Sequence, residues 1–462
     1  MDLLACTTIG GDSTTIGRNG LGFNSAHHFT DIPSVVSGTH IGFFDPCRMY
    51  LPKSRTSKGL VADGGGRADF RKLKGPTYID QMATYKGLFG CDMESHFEGT
   101  IFRLPLRADG ASVTPTIESS LGGSTWTISR IGSMMSNWHQ DAKIAMLFLK
   151  NLKTIEIQGV SNPCMVTKSD RTEGSALDAV NARSPLGTAA ASLINIQFSL
   201  SGPIRSSNEE WLVYQESQFP ISTPATIADL AKANRLTPHR GTAFPLRLND
   251  QPANALKETI QGRLFIHLPT SKRTETRFHL HGGFAFLPSR KGLTGGSINT
   301  GDALAEWNEA MRTTLMPLHL VKVFAVLLEY IIANNPKKTV HDLEVAQSEY
   351  FAYLPPLTAL NRESILDSAK FWKHTYDHNI FPCQGASNQL IAKSAQESMF
   401  MNFQFLLLPQ EVRQKVVQLL VSSGKHICQC PSTSLKDVRD ASTTRYSEVT
   451  AALVRHCLSQ LP

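Results

Sequence analysis

Three closely spaced glycines near the start of the chain constrain its local fold more than any other feature. Gly17, Gly20 and Gly22 form a G-x-x-G-x-G spacing. Glycine has no Cβ, so the backbone can turn sharply here and approach a ligand closely. Apolar residues then follow at helical spacing, beginning with Phe23 and Ala26. The pattern predicts a loop that leads into a helix N-terminus, where free N–H groups can hold a phosphate. An ordinary structural turn is the alternative interpretation.

The spacing of these glycines excludes two common phosphate-binding motifs. A dinucleotide-binding fold uses G-x-G-x-x-G after a strand, which is the reverse order. The P-loop motif G-x-x-x-x-G-K-[ST] does not occur in the 462 residues. A nucleotide site of this chain would therefore be of another type.

The residues around the loop resemble the glycine loop of the GHKL ATPases, and the sacsin family within that superfamily in particular. Further stretches resemble strand pairs, a closing strand, a helix-to-strand junction and middle-segment motifs of sacsin repeats. The resemblance covers about residues 7 to 330. These stretches are Ile32–Gly38, Gly42–Pro46, Phe97–Arg107, Leu147–Asn151, His281–Arg290 and Trp307–Glu309.

The resemblance and the hydrophobic periodicity together predict an α+β protein. We expect a partial GHKL (Bergerat-type) α/β sandwich in residues 1–110, and a strand-rich α+β middle domain in residues 120–333. The alternating pattern over 193–200, 211–216, 262–268 and 278–287 predicts half-buried strands in that middle domain. Helical spacing dominates afterwards, and predicts a helical C-terminal region in residues 336–462 that includes a helix over 389–405.

The resemblance also implies a set of residues that would contact ATP with Mg²⁺. The loop glycines would donate N–H groups to the triphosphate, and Phe23 would pack beneath the loop. Thr100 occupies the position that helps to hold the adenine, although β-propensity alone could explain a threonine there. Arg290 would reach the terminal phosphate, although an exposed turn cation is the simpler interpretation. The expected cofactor-contacting residues are Gly17, Gly20, Gly22, Phe23, Thr100 and Arg290.

The acidic residues that would drive ATP hydrolysis are not in their expected place. The superfamily carries a catalytic Glu, a magnesium-binding Asn and an adenine-reading Asp around its glycine loop. Only Met1–Thr15 precede the loop in this chain, and Asp2 and Asp12 are their only acids. We therefore expect an N-terminally incomplete or degenerate ATP-binding module with no catalytic residue. The alternative is an ATP-dependent chaperone whose N-terminal part is missing from this chain.

Charge gives no strong indication of a nucleic-acid partner. The formal net charge is +7, and the segment from Lys53 to Lys74 holds seven basic and two acidic residues. No ladder of aromatic residues is interleaved there, as stacking on successive single-stranded bases would require. A solvated loop is the favoured interpretation, and nucleic-acid binding is a third, disfavoured class of function.

Histidines and cysteines do not form a pattern that predicts a metal site. His426-x-Cys428-x-Cys430 is the densest group, and it is expected to be a surface turn with reduced thiols. His27 and His28 are adjacent and cannot chelate one ion together. His279 and His281 share a strand face, where hydrogen bonding is the expected role.

Sequence patterns finally suggest a location and partners. The N-terminus lacks the basic and apolar regions of a signal peptide, and the apolar segment Val321–Ala333 is short for a bilayer span. We expect a cytoplasmic protein, with the nucleus as the alternative, that binds chaperone clients or co-chaperones. Incomplete cover on strands Ile41–Phe44 and Ile101–Leu106 would favour self-association. The expected function is that of a sacsin-like chaperone-related or scaffolding protein.

Overall fold

The computed structural model divides the chain into two compact units, Met1–Ser136 and Asn137–Pro462. The predicted boundaries near 110–120 and 334–336 do not coincide with this division. The described residues are 23–46, 61–62, 65–73, 79–107, 126–149, 152–158, 163–171, 189–200, 206–249, 251–252, 260–286, 293, 302–334, 339–358, 364–375, 378, 380–386, 389–401, 403–431, 434, 436–437, 440 and 447–459.

The first unit contains a five-stranded sheet in which every described pairing is antiparallel. Its spatial order is β3-β4-β2-β1-β5. A 3₁₀ helix, Phe23–His28, precedes the sheet, and a short α-helix, Ile79–Ala83, lies between its fourth and fifth strands. The strands are β1 (Ser34–Gly38), β2 (His40–Phe44), β3 (Val61–Ala62), β4 (Gly65–Asp69) and β5 (Phe97–Arg103).

One face of this sheet forms the core of the first unit. Val36, Ile41 and Ile101 are paired neighbours that point to this face and are buried. Phe70 and Tyr85, from the segment between β4 and β5, pack against them. The expectation that strands 41–44 and 101–106 are partly uncovered does not hold for this face, since their inward residues are covered by the segment that follows β4 along the chain. Phe102 and Leu106 of the second stretch nevertheless remain 59% and 41% exposed.

The second unit is built on a larger sheet of nine strands. Eight of them follow the order β13-β12-β14-β10-β9-β8-β7-β6, and β11 pairs with β10. The predicted strands over 193–200, 211–216, 262–268 and 278–287 are confirmed. The strands are β6 (Thr154–Ile157), β7 (Cys164–Arg171), β8 (Ala189–Leu200), β9 (Ser206–Glu216), β10 (Arg240–Leu248), β11 (Gln251–Pro252), β12 (Arg263–Ile266), β13 (Leu268–Arg273) and β14 (His279–Gly282).

A long helical segment, Ala303–Asn334, packs into the core of the second unit. It begins at Asp302, whose carboxylate accepts from the N–H groups of Leu304 and Ala305. A π-helical turn, Met311–Leu315, ends two residues before Pro317, and this widened turn accommodates a ring that cannot donate a backbone hydrogen bond. By length and composition the segment could cross a membrane, but 67% of its most apolar window is buried inside the protein, as in a core helix.

The prediction of a wholly helical region after residue 336 is wrong. Helices Val340–Tyr353, Ser368–His374, Gln410–Ser422 and Ala451–Ser459 do occur there. A five-stranded sheet, however, runs through the same region in the order β16-β15-β18-β17-β19. The strands are β15 (Phe381–Gly385), β16 (Gln389–Lys393), β17 (Met399–Met401), β18 (Ile427–Cys428) and β19 (Ser447–Val449).

Short strand length explains this error. The predicted helix over 389–405 contains two strands of five and three residues, too short to show an alternating pattern. Phe381 of β15 and Phe400 of β17 are both buried, with ring centroids 5.3 Å apart. Tertiary packing therefore decides the conformation here. A single hydrophobic cluster extends from Ala191 to Cys430, so segments on both sides of residue 336 share one core.

Candidate functional site

The structure describes two of the six residues expected to contact a nucleotide. Phe23 and Thr100 lie in the first unit. Gly17, Gly20, Gly22 and Arg290 lie outside the described residues, and their predicted roles stay predictions.

Phe23 is packed against the first sheet. It is the first residue of the 3₁₀ helix Phe23–His28. Its ring lies 4.6 Å from that of Phe44 and 5.6 Å from that of Phe102, measured between centroids. The predicted helical spacing after the glycines is thus present from Phe23 onward, and the helix is held to the sheet by aromatic contacts.

Thr100 lies on the same face of the sheet as Phe102, because residues two apart on a strand point to the same side. Its hydroxyl is 2.9 Å from that of Ser37, its direct partner in the β1–β5 ladder. This face, opposite to the core, carries Phe44, Thr100 and Phe102, with Ser37 and Val35 of β1 between them. We call it the outer face.

The outer face is only partly covered. Phe102 remains 59% exposed beneath the ring of Phe23, and Thr100 and Ser37 are exposed. Aromatic side chains are enriched at protein–protein interfaces relative to the rest of the surface, and Phe102 is such a side chain beside two exposed hydroxyl groups. Phe23 and Thr100 therefore share one surface, and their measured contacts are with the sheet itself.

An arginine fastens the 3₁₀ helix to the rest of the first unit. Arg107 donates from Nε to Oδ1 of Asp31 at 3.0 Å and from Nη2 to the carbonyl oxygen of His27 at 2.9 Å. The indole of Trp126 donates to the carbonyl of His28 at 2.9 Å. Carbonyl groups at a helix end have no partner within the helix, so these donors satisfy them.

Neither Arg107 nor Trp126 was expected to contribute to this region. The two residues follow Asp31 by 76 and 95 positions, and nothing in the sequence pattern links them to it. Arg107 does close the stretch Phe97–Arg107 that carries part of the family resemblance. Burial lowers the pKa of the neighbouring His27, and the charge of Arg107 adds to this effect.

Replacing Arg107 with alanine is expected to release the 3₁₀ helix from the sheet. Arg107→Ala removes hydrogen bonds to an ionised carboxylate and to backbone carbonyls, at a cost of about 2 kcal/mol. Hydrogen–deuterium exchange of the segment 23–31 should become about thirtyfold faster. The matched control is Arg103→Ala on the exposed end of β5, which should leave that exchange rate unchanged. Equal exchange in both variants would contradict the proposed anchor.

Two stretches that carry the resemblance meet in the core of the second unit. The indole of Trp307 donates to the carbonyl of Gly283 at 2.8 Å. The Asn308 amide accepts from the N–H of Ala285 at 2.8 Å and donates to its carbonyl at 2.7 Å. A Cβ on Gly283 would lie 2.3 Å from the carbonyl oxygen of Thr237, which leaves room only for glycine. The motifs therefore join the long helix to the strand end, which is a structural role.

A second polar cluster lies buried beneath the long helix. The Oγ1 of Thr242 is 3.0 Å from Nε2 of His319, and Nδ1 of His319 is 2.9 Å from Oε1 of Glu216. This hydroxyl–imidazole–carboxylate order resembles a hydrolase triad. Thr242 and His319 are 0% exposed, so no substrate can reach them in this conformation. The cluster therefore holds strands and helix together.

Charged side chains complete this cluster. Arg240 donates to Glu216 from Nε at 3.2 Å, and Lys322 donates to it at 2.9 Å. Burial opposes the charge on Glu216, but the hydrogen bond from His319 and the charges of Arg240 and Lys322 outweigh burial and lower the pKa of Glu216. Burial lowers the pKa of His319, so its imidazole stays neutral. In the described residues, no group of three His, Cys, Asp or Glu side chains is placed to hold a metal ion.

Comparison with known proteins identifies the class of domain to which the first sheet belongs. Residues 4–171 match the model of the Sacsin domain, and this range includes the first sheet with its outer face. The whole chain is similar to human Sacsin, with 23% identity over 484 aligned residues that cover 97% of this chain and 10% of that protein. The chain is a sacsin-like protein, and it spans about a tenth of the length of that relative.

Proposed function

We propose that this chain is a chaperone-related or scaffolding module that binds polypeptide segments on its outer face. The exposed ring of Phe102 next to the Thr100 and Ser37 hydroxyls carries the proposal. The Sacsin-domain match over residues 4–171 supports it, because the outer face lies within that range. Partially unfolded clients expose apolar side chains, which would pack on the rings of Phe44 and Phe102.

The nucleotide module is, in this proposal, degenerate. ATP with Mg²⁺ would need the three loop glycines, Thr100 and Arg290 to converge on one ligand. The hydroxyl of Thr100 already lies against that of Ser37, and Phe23 already packs against Phe44 and Phe102. A functional ATP-dependent chaperone is the alternative. Chaperone clients or co-chaperones as partners, a cytoplasmic or nuclear location and self-association belong to the same proposal.

A client-protection assay tests the outer face. Light scattering would follow the heat-induced aggregation of citrate synthase with and without the full chain. We expect the chain to slow aggregation, and Phe102→Ser to need about tenfold more protein for equal protection, since a central aromatic contact is worth about 1–2 kcal/mol. Phe89→Ser is the matched control, because Phe89 is a 79% exposed aromatic residue of the same unit that is not on the outer face. No protection by the unaltered chain would refute the proposal.

ATP turnover separates the proposal from its alternative. We expect the purified 462-residue chain to hydrolyse MgATP no faster than buffer, since positioned charges supply nearly all of the catalysis in phosphoryl transfer. Phosphate release would be measured for the chain and for Gly20→Val. Turnover that disappears in Gly20→Val would instead support the ATP-dependent alternative.

A further inference from the structure

Two cysteines face each other across neighbouring strands of the C-terminal sheet. The antiparallel pair β15–β18 has Gln384 opposite Ile427. In an antiparallel register the next position along one strand pairs with the previous position of the other, so Cys383 stands opposite Cys428. Directly opposite residues have Cα atoms about 4.5–5.5 Å apart and point to the same face. A disulfide needs a Cα separation of about 4.4–6.8 Å, so this register position can form one.

Both thiols are reduced and fully enclosed. Cys383 and Cys428 are each 0% exposed and belong to the hydrophobic core of the second unit. The thiol of Cys383 donates to the hydroxyl of Ser398 at 3.2 Å. The expectation that Cys428 and Cys430 occupy a surface turn is wrong, because both are buried. β18 lies in the middle of its sheet rather than in an external loop.

A buried glutamine holds the two strands together beside the thiols. Gln347 of the helix Val340–Tyr353 donates to the carbonyl oxygens of Pro382 at 3.1 Å and Ile427 at 3.4 Å. Its own oxygen accepts from the N–H of Gln429 at 3.2 Å. These three backbone groups immediately flank Cys383 and Cys428. The side chain thus fixes the distance between the strands at the point where the thiols meet.

We propose that Cys383 and Cys428 form a reversible cross-strand disulfide with hydrogen peroxide as the oxidant. One thiolate attacks a peroxide oxygen, the O–O bond breaks, and a sulfenic acid and water result. The second thiolate attacks the sulfenic sulfur, the S–S bond forms, and a second water leaves. In total two thiols lose two electrons and two protons, and one peroxide is reduced to two waters. A small-molecule thiol reverses the reaction by exchange.

The reaction is expected to be slow and controlled by local opening of the sheet. Burial and the neighbouring Cys383 thiol raise the pKa of Cys428, so little thiolate is present in the closed state. The third buried thiol, Cys430, lies near this pair and could compete with Cys383 for Cys428. The strand register decides which thiol pairs with Cys428, and it favours Cys383 because that residue stands directly opposite.

Peptide mapping of the full chain after peroxide treatment tests the proposal. Free thiols would be blocked with iodoacetamide, the protein digested without reductant, and linked peptides identified by mass spectrometry. We expect a Cys383–Cys428 linked peptide that disappears with dithiothreitol. Cys428→Ser should abolish it, whereas the matched control Cys430→Ser should retain it. Oxidation should also shift the thermal midpoint upward by a few degrees, because the bond closes a long loop.

A second experiment covers the case in which the buried thiols never become accessible to peroxide in the folded protein. The same treatment in urea, at a concentration where iodoacetamide alone labels both thiols, exposes them to peroxide. If the linked peptide is absent under both conditions, or joins Cys428 to Cys430 instead, the proposal is wrong. Cys91 and Cys164, which are also buried and free, report whether oxidation is general. A linked peptide from either of them at equal yield would likewise overturn the assignment.

Discussion

Glu216→Gln should lower the free energy of unfolding of the second unit by about 3–5 kcal/mol, because it leaves a buried cation without its counter-charge. Arg240 is 0% exposed and makes its ion pair with Glu216. Its Nη2 also donates to the carbonyl of Gln218 at 2.7 Å. A neutral amide cannot balance the guanidinium, and His319 also loses its charged acceptor. The effect exceeds that of a typical point substitution.

Urea unfolding followed by far-ultraviolet circular dichroism would measure this loss. Glu275→Gln is the matched control, since Glu275 is an exposed carboxylate of the same unit, and it should change the unfolding free energy by less than about 0.5 kcal/mol. The double variant Glu216→Leu with Arg240→Leu removes both charges and should be more stable than Glu216→Gln. A Glu216→Gln variant within 1 kcal/mol of the unaltered chain would contradict the importance of the pair.

This cluster shows where sequence patterns stop being informative. The strand that holds Glu216 was predictable, because alternating apolar residues over 211–216 indicate a half-buried strand. The strand β10, which holds Thr242, was not among the predicted strands. The contact of Glu216 with His319 was not predictable, because it joins residues 103 positions apart. A histidine on an apolar helix gives no sign of which strand it will face. Long-range polar contacts are decided by sheet order and helix placement, which periodicity does not encode.

On the outer face, too, some features were predictable from the sequence and others were not. The resemblance placed Phe23 and Thr100 in one functional region, and the structure puts both on one side of the first sheet. The ion pair of Arg107 with Asp31, which holds the helix there, left no sign in the sequence. The short strands after residue 380 were not predicted for another reason, because a strand of two to five residues is too short to show an alternating apolar pattern. Elements that depend on local pattern were therefore predictable, and those that depend on tertiary contacts were not.

Acidification should destabilise the second unit well above the pH at which carboxylates titrate. Nδ1 of His279 accepts from the backbone N–H of Arg263 at 3.1 Å, so this nitrogen must carry no proton in the folded state. The ring also stacks on Trp211, with centroids 5.2 Å apart. Burial lowers the pKa of His279 to about 3, with contributions from the charges of Arg263 and Arg273. His319 shifts in the same direction through burial.

The sign of the effect follows from proton binding in the two states. Below the ordinary histidine pKa of about 6.5, the His279 imidazole binds a proton in the unfolded chain but not in the folded one. Unfolding therefore becomes more favourable as the pH falls. The loss is about 1.4 kcal/mol per pH unit for each such histidine, or about 2.5 kcal/mol for His279 between pH 7 and pH 4.5. His319 adds to it. Glu216, with its lowered pKa, contributes stability that is lost only below about pH 4.5.

Urea unfolding at intervals between pH 7.5 and 4.5 checks this prediction. His279→Asn offers an amide oxygen to the N–H of Arg263 and has no proton to gain, so its stability should fall less steeply with pH. Any loss of stability at pH 7 does not interfere, because the comparison is between slopes. His341→Asn is the matched control, since His341 is an exposed histidine of the same unit, and its slope should equal that of the unaltered chain. A pH-independent unfolding free energy, or an unchanged slope in His279→Asn, would show that the buried imidazole does not resist protonation, and that its hydrogen bond with Arg263 is not what holds this part of the sheet.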